Sequence, residues 1–225
     1  MHPGVGISFQ AVEKRYGAVR ALRPTTLEIL PGECVALLGP NGSGKSTLLR
    51  LAALLARPTA GSISYTGAAS GVPRGEVRRM LGVVAHATLL YDDLTARENL
   101  ALFAELYGLP DAARLITERL ASVGLAERGD HVVRTFSRGM RQRLTLARAL
   151  LHGAGLLLFD EPGTGLDADG GAWLGRELRA LRSAGCTILM STHHGSEMLG
   201  LATRTIHLSA GRVVQDSAVA PQAAN

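Results

Sequence analysis

Short strand-like runs alternate along the chain with longer stretches that carry apolar residues at helical spacing. The central runs are continuously apolar, as expected for strands covered on both faces. The predicted strands cover residues 7–12, 25–30, 34–38, 61–67, 81–85, 155–159 and 186–191, with a final hairpin at 204–208 and 212–215. Strands that alternate with helices in this way predict an α/β fold.

Several of the predicted helices have clear start and stop signals. Thr95 and Glu98 have the spacing of a capping box, and the helix that they open should end at the break around Gly108. Ser137 is well suited as the N-cap of a basic helix. The other predicted helices run from Lys45 to about Arg57, over about 111–123, and to about Ser183.

The chain is organised around a glycine-rich stretch that follows the apolar run 34–38 and opens a helix. Its residues are Gly39, Pro40, Asn41, Gly42, Ser43, Gly44, Lys45, Ser46 and Thr47. The glycines let several backbone N–H groups converge on one anion, and the helix adds its N-terminal amides. Lys45 is placed to reach the outer phosphates and the Ser46 hydroxyl to ligate Mg²⁺. The alternative is a plain glycine-rich turn, but strand and helix on both sides favour nucleoside triphosphate binding.

Two adjacent carboxylates, Asp160 and Glu161, end the apolar run 155–159. Neighbouring strand residues point to opposite sides, so one carboxylate can hold Mg²⁺ while the other faces a water at the γ-phosphate. Asp160 suits the metal role and Glu161 is the candidate general base. Two surface acids at a strand end are the alternative, and the preceding phosphate loop favours the functional interpretation.

An aromatic residue and a histidine complete the candidate site. Tyr16 lies among charged residues, next to a glycine, in a predicted loop, and is a candidate for stacking on a purine ring. A place in the core is equally compatible with its neighbours. His193 and His194 follow the last core strand, where ligands bind in open α/β sheets. We expect one of them to face the site and the other solvent.

The composition indicates the cellular compartment of the protein but does not identify its binding partner. The net charge is +5, and Lys14 and Lys45 are the only lysines. Such a basic balance is compatible with nucleic acid, an anionic membrane or nucleotide phosphates, although a solvated arginine-rich surface is commoner. Cys34 and Cys186 lie in apolar runs and indicate free thiols in a reducing compartment. Neither a signal-peptide pattern nor a membrane-length apolar run is evident, so a membrane role would need a partner chain.

In order and spacing, these stretches resemble the nucleotide-binding domain of ATP-binding cassette (ABC) proteins over almost the whole chain. Six elements carry the resemblance: Tyr16 as the aromatic A-loop, residues 39–47 as the Walker A motif, residues 137–140 as the signature, residues 156–160 with Glu161 as the Walker B motif, residues 165–167 as the D-loop, and His193 as the switch histidine. Their joint occurrence in register makes a chance match negligible.

The resemblance implies a fold and a mode of assembly. It implies one ABC ATPase domain over residues 1–225, with a P-loop NTPase core, an antiparallel β subdomain, a helical insert at about 96–152 and a frayed tail from about 218. Two such domains, identical or different, would pair head to tail around two ATP with Mg²⁺. Ser137 and Gly139 would then meet the partner's γ-phosphate, Asp167 would make contacts across the dimer, and His193 would brace the γ-phosphate and the attacking water.

Two positions depart from the family pattern. The family has glutamine, a Mg²⁺ and water contact, where His86 stands; an imidazole is shorter and can titrate near neutral pH, so the metal role of His86 is open. Arg138 replaces the usual first glycine of the signature and places a positive charge close to phosphate. We expect Arg138 to be tolerated.

Within the family, residues 84–86, 90–95 and 136–140 look like the heme exporter ATP-binding subunit of cytochrome c maturation. The resemblance therefore implies an ATPase on the cytoplasmic face of the cell membrane that drives a separate transmembrane permease. An ATPase of another importer or exporter remains an alternative. A soluble ABC ATPase acting on nucleic acid or in iron–sulfur assembly is a third, although the chain has neither a long coiled coil nor a second cassette, which makes nucleic acid the less favoured partner.

Overall fold

The computed structural model of the chain describes residues 3–85, 89–164, 166–192 and 197–219. Its strands are β1 Val5–Tyr16, β2 Val19–Ile29, β3 Cys34–Leu38, β4 Ala60–Gly67, β5 Leu81–Val84, β6 Leu156–Asp160, β7 Thr187–Ser191, β8 Arg204–Ser209 and β9 Arg212–Ala218. Its α-helices are α1 Lys45–Ala52, α2 Arg74–Val77, α3 Ala96–Tyr107, α4 Ala112–Ser122, α5 Arg138–Leu150 and α6 Ala168–Ser183.

These strands form two sheets. The larger sheet has six strands in the order β5-β6-β7-β3-β8-β9. Each strand is parallel to its neighbours except the edge strand β9, which is antiparallel to β8. The smaller has three antiparallel strands in the order β2-β1-β4. Helices α3, α4 and α5 lie between β5 and β6 in the chain. The predicted α/β fold, with its antiparallel sheet and helical insert, is confirmed.

The central strands are apolar throughout because both of their faces are covered. In β3, Cys34 and Ala36 pack into a core cluster with the helical layer, while Val35 and Leu37 pack into a second cluster with α1 and the antiparallel sheet. The strand β6 divides its side chains between the same two clusters. Burial on both faces keeps these strands rigid, and their carboxyl ends present the loops that build the site.

The structure corrects two predicted boundaries. Tyr16 is the last residue of β1 rather than part of a loop, because β1 and β2 pair as far as Tyr16 and Val19 around a tight turn. The pattern missed this extension because both strands are polar there. Helix α1 ends at Ala52 rather than near Arg57, since Leu54 adopts a left-handed conformation with φ of 58° that cannot continue a helix.

Other local predictions are confirmed. Thr95 and Glu98 form the capping box of α3, and Gly108 ends that helix in a left-handed conformation. Ser137 caps α5 by accepting a hydrogen bond from the backbone N–H of Met140. Ala218, where a frayed tail was expected to begin, still belongs to β9, and residues 220–225 lie outside the described part of the chain.

Both cysteines are free and buried. Burial raises the pKa of the Cys34 and Cys186 thiols to about 11, so both stay protonated and unreactive at neutral pH. Within the described ranges, no helix has the length and apolar character needed to cross a membrane.

Candidate nucleotide-binding site

The phosphate loop passes so close to neighbouring backbone segments that two of its glycines have no room for a side chain. Gly39 and Gly44 have φ of 140° and 109°. A Cβ at Gly39 would lie 2.1 Å from the carbonyl oxygen of Leu208, and one at Gly44 would lie 2.8 Å from that of Ala21. Both the conformation and the space therefore require glycine at these two positions.

The hairpin between β8 and β9 braces the loop from behind. The backbone N–H of Gly211 donates to the carbonyl of Ser43 at 3.0 Å, and the carbonyl of Gly211 accepts from the N–H of Arg23 at 2.7 Å. Strand β2, the hairpin and the phosphate loop are thus joined by backbone hydrogen bonds, which fix the shape of the loop.

The inside of the loop holds a buried cation and a buried hydroxyl. The Lys45 side chain donates from Nζ to the carbonyls of Gly39 at 2.8 Å and Pro40 at 3.1 Å, and Lys45 is 5% exposed. The Ser43 Oγ is buried and has no hydrogen-bond partner among the described residues. A buried polar atom without a partner is costly unless a ligand satisfies it. This arrangement fits an anion held in the loop.

The N-terminus of α1 adds to this positive site. Gly44 is its N-cap, and within the described structure neither a side-chain cap nor an acidic residue occupies its first turn. The N-terminal amides and the positive end of the helix dipole are therefore available to a phosphate group.

The predicted metal ligands meet across the sheet. The Ser46 Oγ donates to Oδ1 of Asp160 at 3.1 Å, although the two residues are far apart in sequence. Ser191, at the end of the intervening strand β7, donates to the same Oδ1 at 2.7 Å. The described residues contain no group of three His, Cys, Asp or Glu side chains able to hold a metal alone. One carboxylate and one hydroxyl fit Mg²⁺ that arrives with nucleotide phosphates.

Glu161 sits in a constrained turn directly after Asp160. It is half-buried, and its φ is 54°, a left-handed value that costs a non-glycine residue about 1 kcal/mol or more. Its backbone N–H donates to the Ser191 Oγ at 2.9 Å, and the Thr164 hydroxyl donates to its Oε2 at 3.3 Å. The turn thus holds the Glu161 carboxylate directly beside Asp160, the candidate metal ligand.

The remaining candidates lie on different elements. Tyr16 is 45% exposed at the end of β1, with the Lys14 ammonium 4.9 Å from its ring centre. Ser137 and Gly139 begin α5. Asp167 caps α6 by accepting the backbone N–H of Gly170 at 2.8 Å, a structural use that the sequence pattern had not indicated.

The phosphate loop also contains outward-facing residues. Pro40, Asn41, Gly42 and Ser46 are exposed, and Thr47 is half-buried. His86, Gly165 and His193 lie outside the described residues, so their predicted roles stay predictions. Sequence reasoning missed Ser191, and the signal that could have identified it was a polar residue ending a buried strand.

The family model described as "ABC transporter" matches residues 22–164 of the chain. The chain therefore belongs to the ABC transporter ATP-binding family. This family match and the cassette structures described next establish the chain as an ATP-binding protein and an ATPase.

Two curated relatives carry the same name, Nod factor export ATP-binding protein I. The protein from Burkholderia thailandensis is 40% identical over 214 residues, which cover 94% of this chain and 70% of that protein. The protein from Paraburkholderia xenovorans is 37% identical over 220 residues, which cover 96% of this chain and 72% of that protein. Among solved structures, a dimeric ATP-binding cassette in a post-hydrolysis state bound to ADP and Pi has a TM-score of 0.84 and 27% identity, covering 95% of this chain and 99% of that one.

Proposed function

We propose that this chain is the ATP-hydrolysing subunit of a membrane exporter. The observation that carries the proposal is the hydrogen bond between Ser46 and Asp160, which unites the phosphate loop with the end of β6. In this proposal Lys45 and the loop amides bind the ATP phosphates, and Ser46 and Asp160 hold Mg²⁺. When bound, the metal would neutralise charge that develops on the transferred phosphoryl group.

Glu161 acts as the general base in this proposal. It accepts a proton from the attacking water, and the turn that follows it holds the carboxylate in place. His193 braces the water and the γ-phosphate, and Tyr16 stacks on the adenine ring. His86 stands where the family has a Mg²⁺-contacting glutamine, and its neutral imidazole could offer one nitrogen to the metal site.

Assembly is proposed to be head to tail, with either a second copy or a related cassette as the partner. The first turn of α5, with Ser137 and Gly139, would then offer its N-terminal amides to the nucleotide of the partner, and Asp167 would contact the partner. The similarity to a dimeric cassette that binds ADP and Pi supports this arrangement.

Export is favoured by the names of the two relatives, which are export ATP-binding proteins. Those names do not support the heme-export subtype, which rests on three short stretches of sequence alone. We propose a separate transmembrane permease as the partner and the cytoplasmic membrane face as the location. The permease would select the cargo.

The test combines hydrolysis with assembly. Glu161→Gln should bind ATP but stall turnover, and Mg·ATP should convert it to a dimer on size-exclusion chromatography, while ADP should not. Expression of the tagged chain with its native membranes should co-purify a multi-span membrane protein. Turnover near the wild-type rate in Glu161→Gln would contradict the base assignment. Salt-sensitive stimulation of the ATPase by DNA or RNA, with no membrane partner, would contradict the transport role.

A further inference from the structure

One face of α5 holds the turn that carries Glu161. The Arg138 side chain donates from Nη2 to the carbonyl of Thr164 at 2.9 Å, and the Gln142 side chain donates from Nε2 to the carbonyl of Pro162 at 3.0 Å. Residues four apart on a helix lie on the same face. Two side-chain donors on one face of α5 therefore bind two backbone carbonyls in the loop that follows Glu161.

That turn needs external support. Glu161 is in the left-handed region, and a short hydrogen-bonded turn, from the N–H of Thr164 to the carbonyl of Glu161 at 3.1 Å, closes the segment. A non-glycine residue keeps such a conformation when its surroundings over-determine it. Thr164 also contacts the Glu161 carboxylate through its hydroxyl. A contact that holds Thr164 therefore also acts on the orientation of the Glu161 carboxylate.

We infer that Arg138 is a positioning residue that, together with Gln142, sets the orientation of Glu161. The inference rests on the proposed role of Glu161 as the general base. Arg138 stands at the signature position where the family pattern has glycine, and a glycine has no side chain to reach Thr164. A hydrogen bond from a guanidinium is charge-assisted and stronger than one between neutral groups. Helix α5 and the turn that follows Glu161 are thereby joined within one chain. A displacement of the start of α5 would therefore change the position of Glu161.

A direct contact between Arg138 and the phosphate of the partner's nucleotide would predict a different behaviour. Loss of such a contact would weaken ATP binding and ATP-driven dimerisation. Loss of a positioning contact would leave binding intact and slow the chemical step. The two effects are separable by comparing KM with kcat.

The experiment uses purified full-length variants and steady-state ATPase assays. Arg138→Ala should lower kcat about 10- to 100-fold, the scale expected when a reacting group is misplaced, with KM for ATP changed less than about 2-fold. Arg138→Lys, which keeps one cationic donor, should recover part of the loss. Gln142→Ala should lower kcat in the same direction, and it tests the inference if Arg138→Ala does not fold. Arg141→Ala is the matched control, because its guanidinium pairs with Asp92 rather than with the turn.

The same substitution is then placed on the Glu161→Gln background. ATP-driven dimerisation of Arg138→Ala/Glu161→Gln should match that of Glu161→Gln within about 2-fold. A kcat for both Arg138→Ala and Gln142→Ala within about 2-fold of wild type would overturn the inference, and so would a loss confined to KM and dimer affinity. If Glu161→Gln itself still turns over ATP, the base assignment fails first. If Glu161→Gln stalls while Arg138→Ala and Gln142→Ala are both normal, the inference alone fails.

Discussion

Ser191 and Asp160 are register partners on adjacent parallel strands, and the hydroxyl of Ser191 donates to the Asp160 carboxylate at 2.7 Å. The same hydroxyl accepts the backbone N–H of Glu161 at 2.9 Å. One side chain therefore holds the candidate metal ligand and the start of the candidate base turn in a fixed relation. Ser191 is fully buried, so water cannot readily replace these bonds.

Ser191→Ala should therefore slow hydrolysis more than it weakens ATP binding. Removing the hydroxyl takes away the Ser191 acceptor of the Glu161 N–H and leaves the Asp160 carboxylate held by Ser46 without Ser191, at a stability cost of about 1–3 kcal/mol. Parallel measurements of kcat, KM and thermal unfolding check this. Ser209→Ala, at the exposed end of β8, is the control that should leave all three unchanged. A normal kcat in Ser191→Ala would show that the bridge is dispensable.

Lys45→Ala should weaken ATP binding about 10- to 100-fold, because a hydrogen bond to a charged group contributes about 1.5–3 kcal/mol. Isothermal titration with ATP gives the dissociation constant directly. Arg50→Ala removes a positive charge from the exposed side of the same helix and is expected to bind ATP normally. Equal affinity of Lys45→Ala and the wild type would discredit the phosphate-loop assignment.

Gly44→Ala should both destabilise the chain and reduce nucleotide affinity. The added Cβ would approach the Ala21 carbonyl oxygen to 2.8 Å at a positive φ, so the loop must shift. The expected loss of stability is about 1–3 kcal/mol in chemical denaturation. Gly75→Ala is the control, since a Cβ there meets no described atom within 4 Å. An unaffected Gly44→Ala would show that the loop tolerates a different shape.

Tyr16→Ala should weaken binding of ATP and ADP alike, whereas binding of inorganic triphosphate should not change. Stacking of an aromatic side chain on a base contributes about 1–3 kcal/mol. Tyr16→Phe keeps the ring and should restore affinity. A competition assay with the three ligands distinguishes a base contact from a general effect on the loop, because a general effect would weaken triphosphate binding as well.

Glu98→Ala should destabilise α3 in a pH-dependent way. The Glu98 carboxylate accepts the backbone N–H of Thr95 at 2.7 Å, and this bond lowers the pKa of Glu98. Because the pKa of Glu98 is lower in the folded state, its carboxylate stabilises the fold at neutral pH, and this stabilisation is lost as pH falls through that pKa. Urea denaturation at neutral and acidic pH measures the difference, with Glu105→Ala on the same helix as control. A pH-independent difference would exclude the carboxylate as its source.

The sequence was sufficient for the elements with strong local signals. The apolar run of β3, the capping box at Thr95 and the N-cap at Ser137 each depend on neighbouring residues, and the structure confirms them. The polar ends of β1 and β2 were missed because their pairing, rather than their composition, makes them strands.

The contacts within the site were less accessible to sequence reasoning. Ser191 reaches Asp160 only through the register of β6 and β7, and that register cannot be read from either strand alone. The contact of Arg138 with Thr164 likewise depends on how α5 packs against the turn after β6. Residue types were enough to predict the chemistry of the site. The contacts that hold the site residues in place depend on long-range packing, which the sequence alone does not reveal.

The most direct test of the account is a crystal structure of Glu161→Gln with Mg·ATP. We predict that the triphosphate occupies the loop after β3, that Ser43 and Lys45 contact it, and that the Lys45 ammonium has left the carbonyls of Gly39 and Pro40. A nucleotide bound elsewhere, with Lys45 still donating to those two carbonyls, would contradict the central claim.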